Sequence, residues 1–332
     1  MIRTLQTGGV AQRCRAGVAC ASRNLFWLLA PVLLLGLALV EPRIVSGRNL
    51  LNLLMQTSYM AIFATAQMVV ILARGFDLSL GACVSLVSVC AALAMSALGS
   101  TGIPVGWVVL AGVAAGLAVG GLLGLFNGWC TARLRVNPFI VTLGSMSAAF
   151  GIASMVTGGR PVFDLPDAFS IVLYEASWMG LSVPVWIAVL LCLGTHLMLR
   201  RTVFGRSIVL VGSNPVATAV AGIAVRRTTV RVYLYAALLT AVGALMLTAR
   251  TGSGEPGMGS SLLLPSIAAA VVGGLSLQGG VGGVLNAVMG ALFISVLSNG
   301  MNLIEVDGYL QDIVLGAVIL LALYLDRFRS RA

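Results

Sequence analysis

The sequence predicts an all-α, polytopic integral membrane protein of about ten transmembrane helices. Three observations lead there. Hydrophobic residues make up 59% of the 332 residues and charged residues only 9%. Mean hydropathy is +1.04. Long apolar runs recur along the whole chain, many of them close to the roughly 20 residues a helix needs to cross a bilayer.

The runs lie at 24–40, 54–73, 79–98, 103–130, 138–157, 181–199, 229–249, 261–277, 281–298 and 309–325. The first follows an Arg-rich tail (1–23) and leads into Glu41, Pro42 and Arg43 with no small-residue cleavage pattern, so it reads as a retained span. The fourth carries Gly112, Gly116, Gly120, Gly124 and Gly128 at i, i+4 spacing, which lets a neighbouring helix approach backbone to backbone. The fifth has a similar stripe, Gly144, Ala148 and Gly151, with Thr142, Ser145 and Ser147 nearby. Between the eighth and ninth, the cluster GGLSLQGGVGG (273–283) reads as a tight or re-entrant bend. A faint internal repeat aligns LFNGWCTARLRVNPFIVTLG (125–144) with LSNGMNLIEVDGYLQDIVLG (297–316). The two segments join consecutive spans on opposite sides of the membrane, which fits a 5+5 inverted repeat.

All twenty cationic side chains are Arg, and none is Lys. With the N-terminus inside, sixteen of the twenty arginines but only two of the ten acids fall on the inner side. The expected organisation is a cytoplasmic tail (1–23), a transmembrane domain (24–326) with one large inner loop (about 200–228), and a second cytoplasmic tail (327–332). The positive charge is spread over loops and tails rather than one soluble face, which argues against nucleic acid as a partner. Membrane lipid surrounds such a chain.

Catalytic parts are scarce. The six cysteines (14, 20, 83, 90, 130 and 192) form no CxxC pair, so neither a disulfide framework nor a metal site is expected. His196 is the only histidine and has no carboxylate or cysteine close in sequence. A Walker A loop needs Lys, and this chain has none. No cofactor or enzymatic activity is expected, and if ATP drives anything here, another chain hydrolyses it. Ionisable groups at membrane depth, which an ion-coupled carrier uses, are nearly absent. Asp77 is the one candidate, placed at the cytoplasmic edge of a span.

One polar island interrupts the apolar runs: GRSIVLVGSNPVATAVAGIAVRR (205–227). Asn214 followed by Pro215 reads as an N-cap with proline at the first helical position, and Gly222 as the C-terminal stop. A helix of about two turns is expected, with Ala217, Ala219 and Ala221 on a small-residue face. Arg200, Arg201, Arg206, Arg226, Arg227 and Arg231 frame it. A rigid knob of this kind fits a cleft on a partner protein.

These motifs together resemble the permease subunits of bacterial ABC importers of the ribose/xylose/galactose class, over nearly the whole chain after the tail. RGFDLSLG (74–81) is similar to that family's GGIDLSVG, NPFIVTLG (137–144) to PPFIVTLG, and TGGRP (157–161) to the same five residues. FGR (204–206), with Gly212, Asn214, Ala217 and Gly222, follows a further pattern, and IAAAVVGG (267–274) and NGMN (299–302) match later signatures. The resemblance implies a homodimer of permeases, ABC ATPase subunits inside and a periplasmic sugar-binding protein outside. It also implies that Gly205, Arg206, Asn214, Pro215, Ala217 and Gly222 belong to the loop that docks the ATPase. Candidates for the translocation path are Asp77, Ser79, Asn137, Thr142, Ser145, Asn299 and Asn302. Asp77 and Ser79 read equally as helix caps. Arg74 departs from the family glycine, either pairing with Asp77 at i, i+3 or following the inner-side charge rule. A stand-alone secondary carrier for a small polar solute is the alternative function.

Overall fold

The computed structural model describes residues 28–329. The tail 1–23 lies outside the described residues. In chain order the helices are α1 (Leu28–Val40), α2 (Gly47–Leu72), α3 (Leu80–Gly99), α4 (Val105–Arg133), α5 (Pro138–Thr157), the short α6 (Asp167–Ser170), α7 (Val183–Arg201), α8 (Val203–Ser213), α9 (Pro215–Val220), α10 (Val225–Thr251), α11 (Leu263–Val272), α12 (Val284–Leu303) and α13 (Gly308–Arg329). A two-residue hairpin, β1 (Ser177–Trp178) with β2 (Leu181–Ser182), precedes α7. Among the described residues, seven helices are long and apolar enough to cross a membrane: α2, α3, α4, α5, α7, α10 and α12. α1, α11 and α13 supply shorter apolar stretches.

Element starts follow local chemistry. α5 begins where expected because Asn137 Oδ1 accepts the Phe139 N–H at 2.9 Å and Pro138 occupies the first turn. It stops at Gly158, whose φ of 61° needs no Cβ clearance. α2 begins earlier than hydropathy suggests, because polar residues of its first turns find partners. Ser46 caps it, and Asn49 exchanges hydrogen bonds of 2.8 and 3.1 Å with Asn299 of α12.

The core is built by α2, α3, α10, α11 and α12. From Ala61 to Leu72 every residue of α2 is buried, so this helix is central and enclosed on all sides. The packing pairs mirror one another. α10 lies on α4 as α2 lies on α12, α3 packs on α4 as α11 packs on α12, and α3 meets α5 as α11 meets α13.

The span expected at 261–277 is the main correction. Only ten residues there are helical, α11, which at 1.5 Å per residue rises about 15 Å, half a bilayer core. Non-helical backbone flanks it on both sides, and buried backbone away from water must be satisfied from within the protein. Ser88 Oγ accepts the Glu255 N–H at 3.3 Å, Ser85 Oγ accepts the Gly259 N–H at 3.0 Å, and the Leu72 carbonyl accepts the Gly280 N–H at 2.9 Å. Gly259 lies backbone to backbone with Gly81, and a Cβ on either would collide with the other's carbonyl. The 273–283 cluster is thus a bend packed against the end of α2.

A third segment, 73–79, also turns inward. Gln67 donates to the Asp77 carbonyl at 2.8 Å, Asn127 donates to Ser79 Oγ at 2.8 Å, and Tyr233 OH donates to the Phe76 carbonyl at 2.9 Å. Gln67 precedes the end of α2 by more than a helical turn, so Asp77 sits deeper than the edge of a span.

Candidate functional site

The polar island folds as two helices. Thr202 Oγ1 accepts the Gly205 N–H at 3.0 Å and starts α8, a helix that the capping pattern alone had not indicated. Gly205 is buried in the α7–α8 corner, where a Cβ would strike the Met198 carbonyl and Leu199. Gly212 is equally confined, against the Leu72 carbonyl and Gly280. These two glycines fix α8 to the ends of α7 and α2.

α9 has both expected caps. Asn214 Oδ1 accepts from the Val216 and Ala217 N–H groups, each at 3.0 Å. Gly222 has a φ of 82°, and the Ile223 N–H closes the end on the Thr218 carbonyl at 3.2 Å. Thr218 is the buried side of α9, its hydroxyl donating to Asn214 O at 2.7 Å and Leu210 O at 2.8 Å. Ala217, Ala219, Ala221 and Arg206 are exposed. The most prominent groups are Val216 and Val220, 73% and 85% exposed at i, i+4 spacing. Sequence reading missed these valines, although their spacing one helical turn apart was the available signal.

The seven path candidates do not converge on one cavity. Asp77 Oδ1 accepts from the Ser79 N–H at 2.8 Å and the Ser79 hydroxyl at 2.6 Å, and both residues are buried. Ser79 is the N-cap position of α3 but makes no side-chain cap there. Arg74 is not paired with Asp77: among the described residues the only ion pair is Arg43–Glu41. Arg74 has a φ of 64°, a backbone state natural to the glycine it replaces. Asn137 is the exposed cap of α5. Thr142 and Ser145 are buried and bond their own helix, Thr142 to Pro138 O at 2.9 Å and Ser145 to Thr142 O at 3.2 Å. Asn299 is occupied by Asn49, and Asn302 accepts from Gln311 at 2.9 Å.

α5 instead leaves a different face open. Gly144, Ser147, Ala148 and Gly151 are exposed, and a Cβ on either glycine would meet nothing within 4 Å. The buried side of this helix, Ala149 and Ala153, packs with Ala82, Leu86 and Val89 of α3.

Arg74, Arg135 and Arg226 gather with Pro215 at one end of the bundle. At the opposite end the chain after α5 meets the chain after α10 in a Val162–Gly254 bridge. There Arg43 Nε donates to Glu41 at 2.8 Å, and these hydrogen bonds pull the Glu41 carboxyl down to about 2.

Known proteins resemble this chain over most of its length. Residues 49–323 match the family described as branched-chain amino acid transport system / permease component. The chain is 38% identical over 302 residues to the ribose import permease protein RbsC of Escherichia coli K12, covering 89% of this chain and 90% of the relative. It is 35% identical over 300 residues to RbsC of Bacillus subtilis 168, covering 90% and 91%. The xylose transport system permease protein XylH of E. coli K12 is 33% identical over 346 residues, covering 86% of each chain. With its apolar helices, the chain is a multi-pass protein of the bacterial inner membrane and belongs to the family of branched-chain amino acid transport system permease components.

Proposed function

We propose that this chain is the membrane-spanning subunit of an ATP-binding-cassette importer for a monosaccharide or related small polyol. ATP is hydrolysed on a separate subunit, and the sugar arrives from a periplasmic binding protein. The observation that carries the reading is α9: a helix of six residues, capped at both ends, that offers Val216, Ala217 and Val220 outward without burying them in this chain. A chain without Lys has no P-loop of its own, so an exposed rigid knob on its arginine-rich face is a docking device. That face is then cytoplasmic, with both chain termini on the same side. Ribose and xylose, named for the relatives, support a monosaccharide cargo.

The open face of α5 supports a second copy as partner. Lipid makes no demand for small residues, and helices that approach closely in a membrane do. α7 presents large groups such as Leu190 and Leu193 outward, as a lipid-facing helix does. The mirrored packing of α2 on α12 and α10 on α4 supports a 5+5 inverted repeat in which the short α11 takes the place that α3 holds in the first half. On this reading the path runs beside α5, and Ser147 is a hydroxyl on its open face. The carrier alternative is weaker, because Asp77 is buried and its carboxylate is held by the Ser79 N–H and hydroxyl.

Ala217→Glu tests the docking role. It adds volume and an unpaired charge at a close-packed contact, and should abolish both co-purification of the ATPase and sugar uptake. Asn214→Ala should act more mildly, weakening the helix start by about 1 kcal/mol. Membrane insertion should be normal for both. Undiminished ATPase co-purification and uptake by Ala217→Glu would reduce α8–α9 to a solvated loop.

A further inference from the structure

A cavity of about 320 Å³ opens at the arginine-rich end, where α2, α4 and α10 meet the α8–α9 corner. Arg74 after α2, Arg135 after α4 and Arg226 at the start of α10 line it, and no Asp or Glu does. None of the three lies within ion-pair distance of a carboxylate among the described residues. All three are exposed. Between them the lining is mostly apolar, with Val70, Val211 and Val232, and adds the polar side chains of Thr131, Thr229 and Tyr233.

Three guanidinium groups around one space repel each other, and no carboxylate among the described residues pairs with them. Arg74 and Arg135 also hold left-handed backbone, with φ of 64° and 56°, which disfavours any side chain. Like charge collected at strained positions around a hollow is the arrangement an anionic ligand stabilises. Arginine forks match phosphate oxygens two at a time.

We propose that this cavity binds the phosphate headgroup of an anionic phospholipid from the surrounding leaflet. The apolar lining selects an amphiphile over a free ion, and the cavity lies at the ends of membrane-spanning helices, where headgroups lie. Basic pockets between helix ends take acidic headgroups in this way. Val216 and Val220 are not part of the lining, so a protein docked on the α9 ridge leaves the cavity to lipid. Val211 and Pro215 do line it, so a bound headgroup braces the α8–α9 corner against the ends of α2 and α4. The site does not depend on the docking reading.

The test titrates delipidated full-length protein with phosphatidylglycerol or phosphatidylcholine of matched chains, read by native mass spectrometry. Phosphatidylglycerol should bind in preference. Each arginine near a membrane surface is worth about fivefold in affinity. The Arg74→Gln/Arg135→Gln/Arg226→Gln variant should therefore lose about a hundredfold. Arg160→Gln, at the other end of the bundle, should change nothing. Arg226→Gln alone sits on ordinary helix and should lose about fivefold even if the triple variant fails to fold. Equal binding of the two lipids, or full phosphatidylglycerol affinity in Arg226→Gln, overturns the proposal. Arginine-dependent binding of inorganic phosphate to which the lipid adds nothing assigns the cavity to a soluble anion and also overturns it. Release of the lipid when the ATPase is added assigns it to an acidic protein segment, with the same consequence.

Discussion

The glycine row of α4 is filled by two neighbouring helices, whereas the small-residue row of α5 faces open space. A Cβ on Gly124 would lie 2.5 Å from Ala237 Cβ and 2.7 Å from the Tyr233 carbonyl, and one on Gly128 would lie 2.9 Å from Val230 Cα. Gly120 meets Ala241 Cβ at 2.8 Å, and Gly112 abuts Met95 and Ala91 of α3. On α5, Gly144 and Gly151 meet nothing. The lesson is that a small-residue row specifies how closely a helix can be approached. It does not specify whether the approaching helix belongs to the same chain.

The difference can be broken most forcefully at Gly124. Gly124→Leu drives a side chain into the α10 backbone, which cannot yield, and should cost about 3 kcal/mol or more. The expected result is loss of folded protein, measured as the monodisperse fraction in size-exclusion chromatography. Wild-type yield and profile would show that the α4–α10 contact tolerates expansion.

A milder effect on the fold, with a large effect on function, is expected at Gly144. Gly144→Leu meets open space, so thermal stability of the isolated subunit should move by no more than about 0.5 kcal/mol. If a second copy packs on this face, site-specific crosslinking through Ala148→Cys should fall sharply, together with uptake. Unchanged crosslinking and uptake would mean that lipid, not protein, covers the row.

The smallest change separates backbone from side-chain packing within α4 itself. A Cβ on Gly116 would meet side chains rather than backbone, the flexible end of Leu245 at 3.0 Å and Val87 Cγ1 at 3.2 Å. Gly116→Ala trades that crowding against a helix-propensity gain of about 1 kcal/mol, so stability should be nearly unchanged. A loss as severe as that of Gly124→Leu would show that the whole row, and not only its backbone-facing half, is rigid.

Much of the α8–α9 segment was legible because its signals are local. Asn214, Pro215 and Gly222 act within a few residues of one another, and all three do in the fold what their spacing implied. Gly205 and Gly212 were less legible. Their roles depend on Leu199 and Leu72, which hydropathy places in other spans. The path candidates were least legible. Thr142 and Ser145 announce a polar helix face, yet their hydroxyls bond their own backbone on the buried side.

Hydropathy, charge alternation and caps therefore determined the membrane class, the helical content, the limits of α5 and the caps of α9, since each depends on residues within one or two turns. Tertiary structure alone decided that 261–277 is a short helix between two non-helical segments. Ser85, Ser88 and the Leu72 carbonyl satisfy those segments from far away in sequence. It also decided which small-residue row is closed, because a helix carries its own periodicity but not the identity of its neighbour. Buried backbone is stable wherever a partner is supplied, and the partner is known only once the chain has folded.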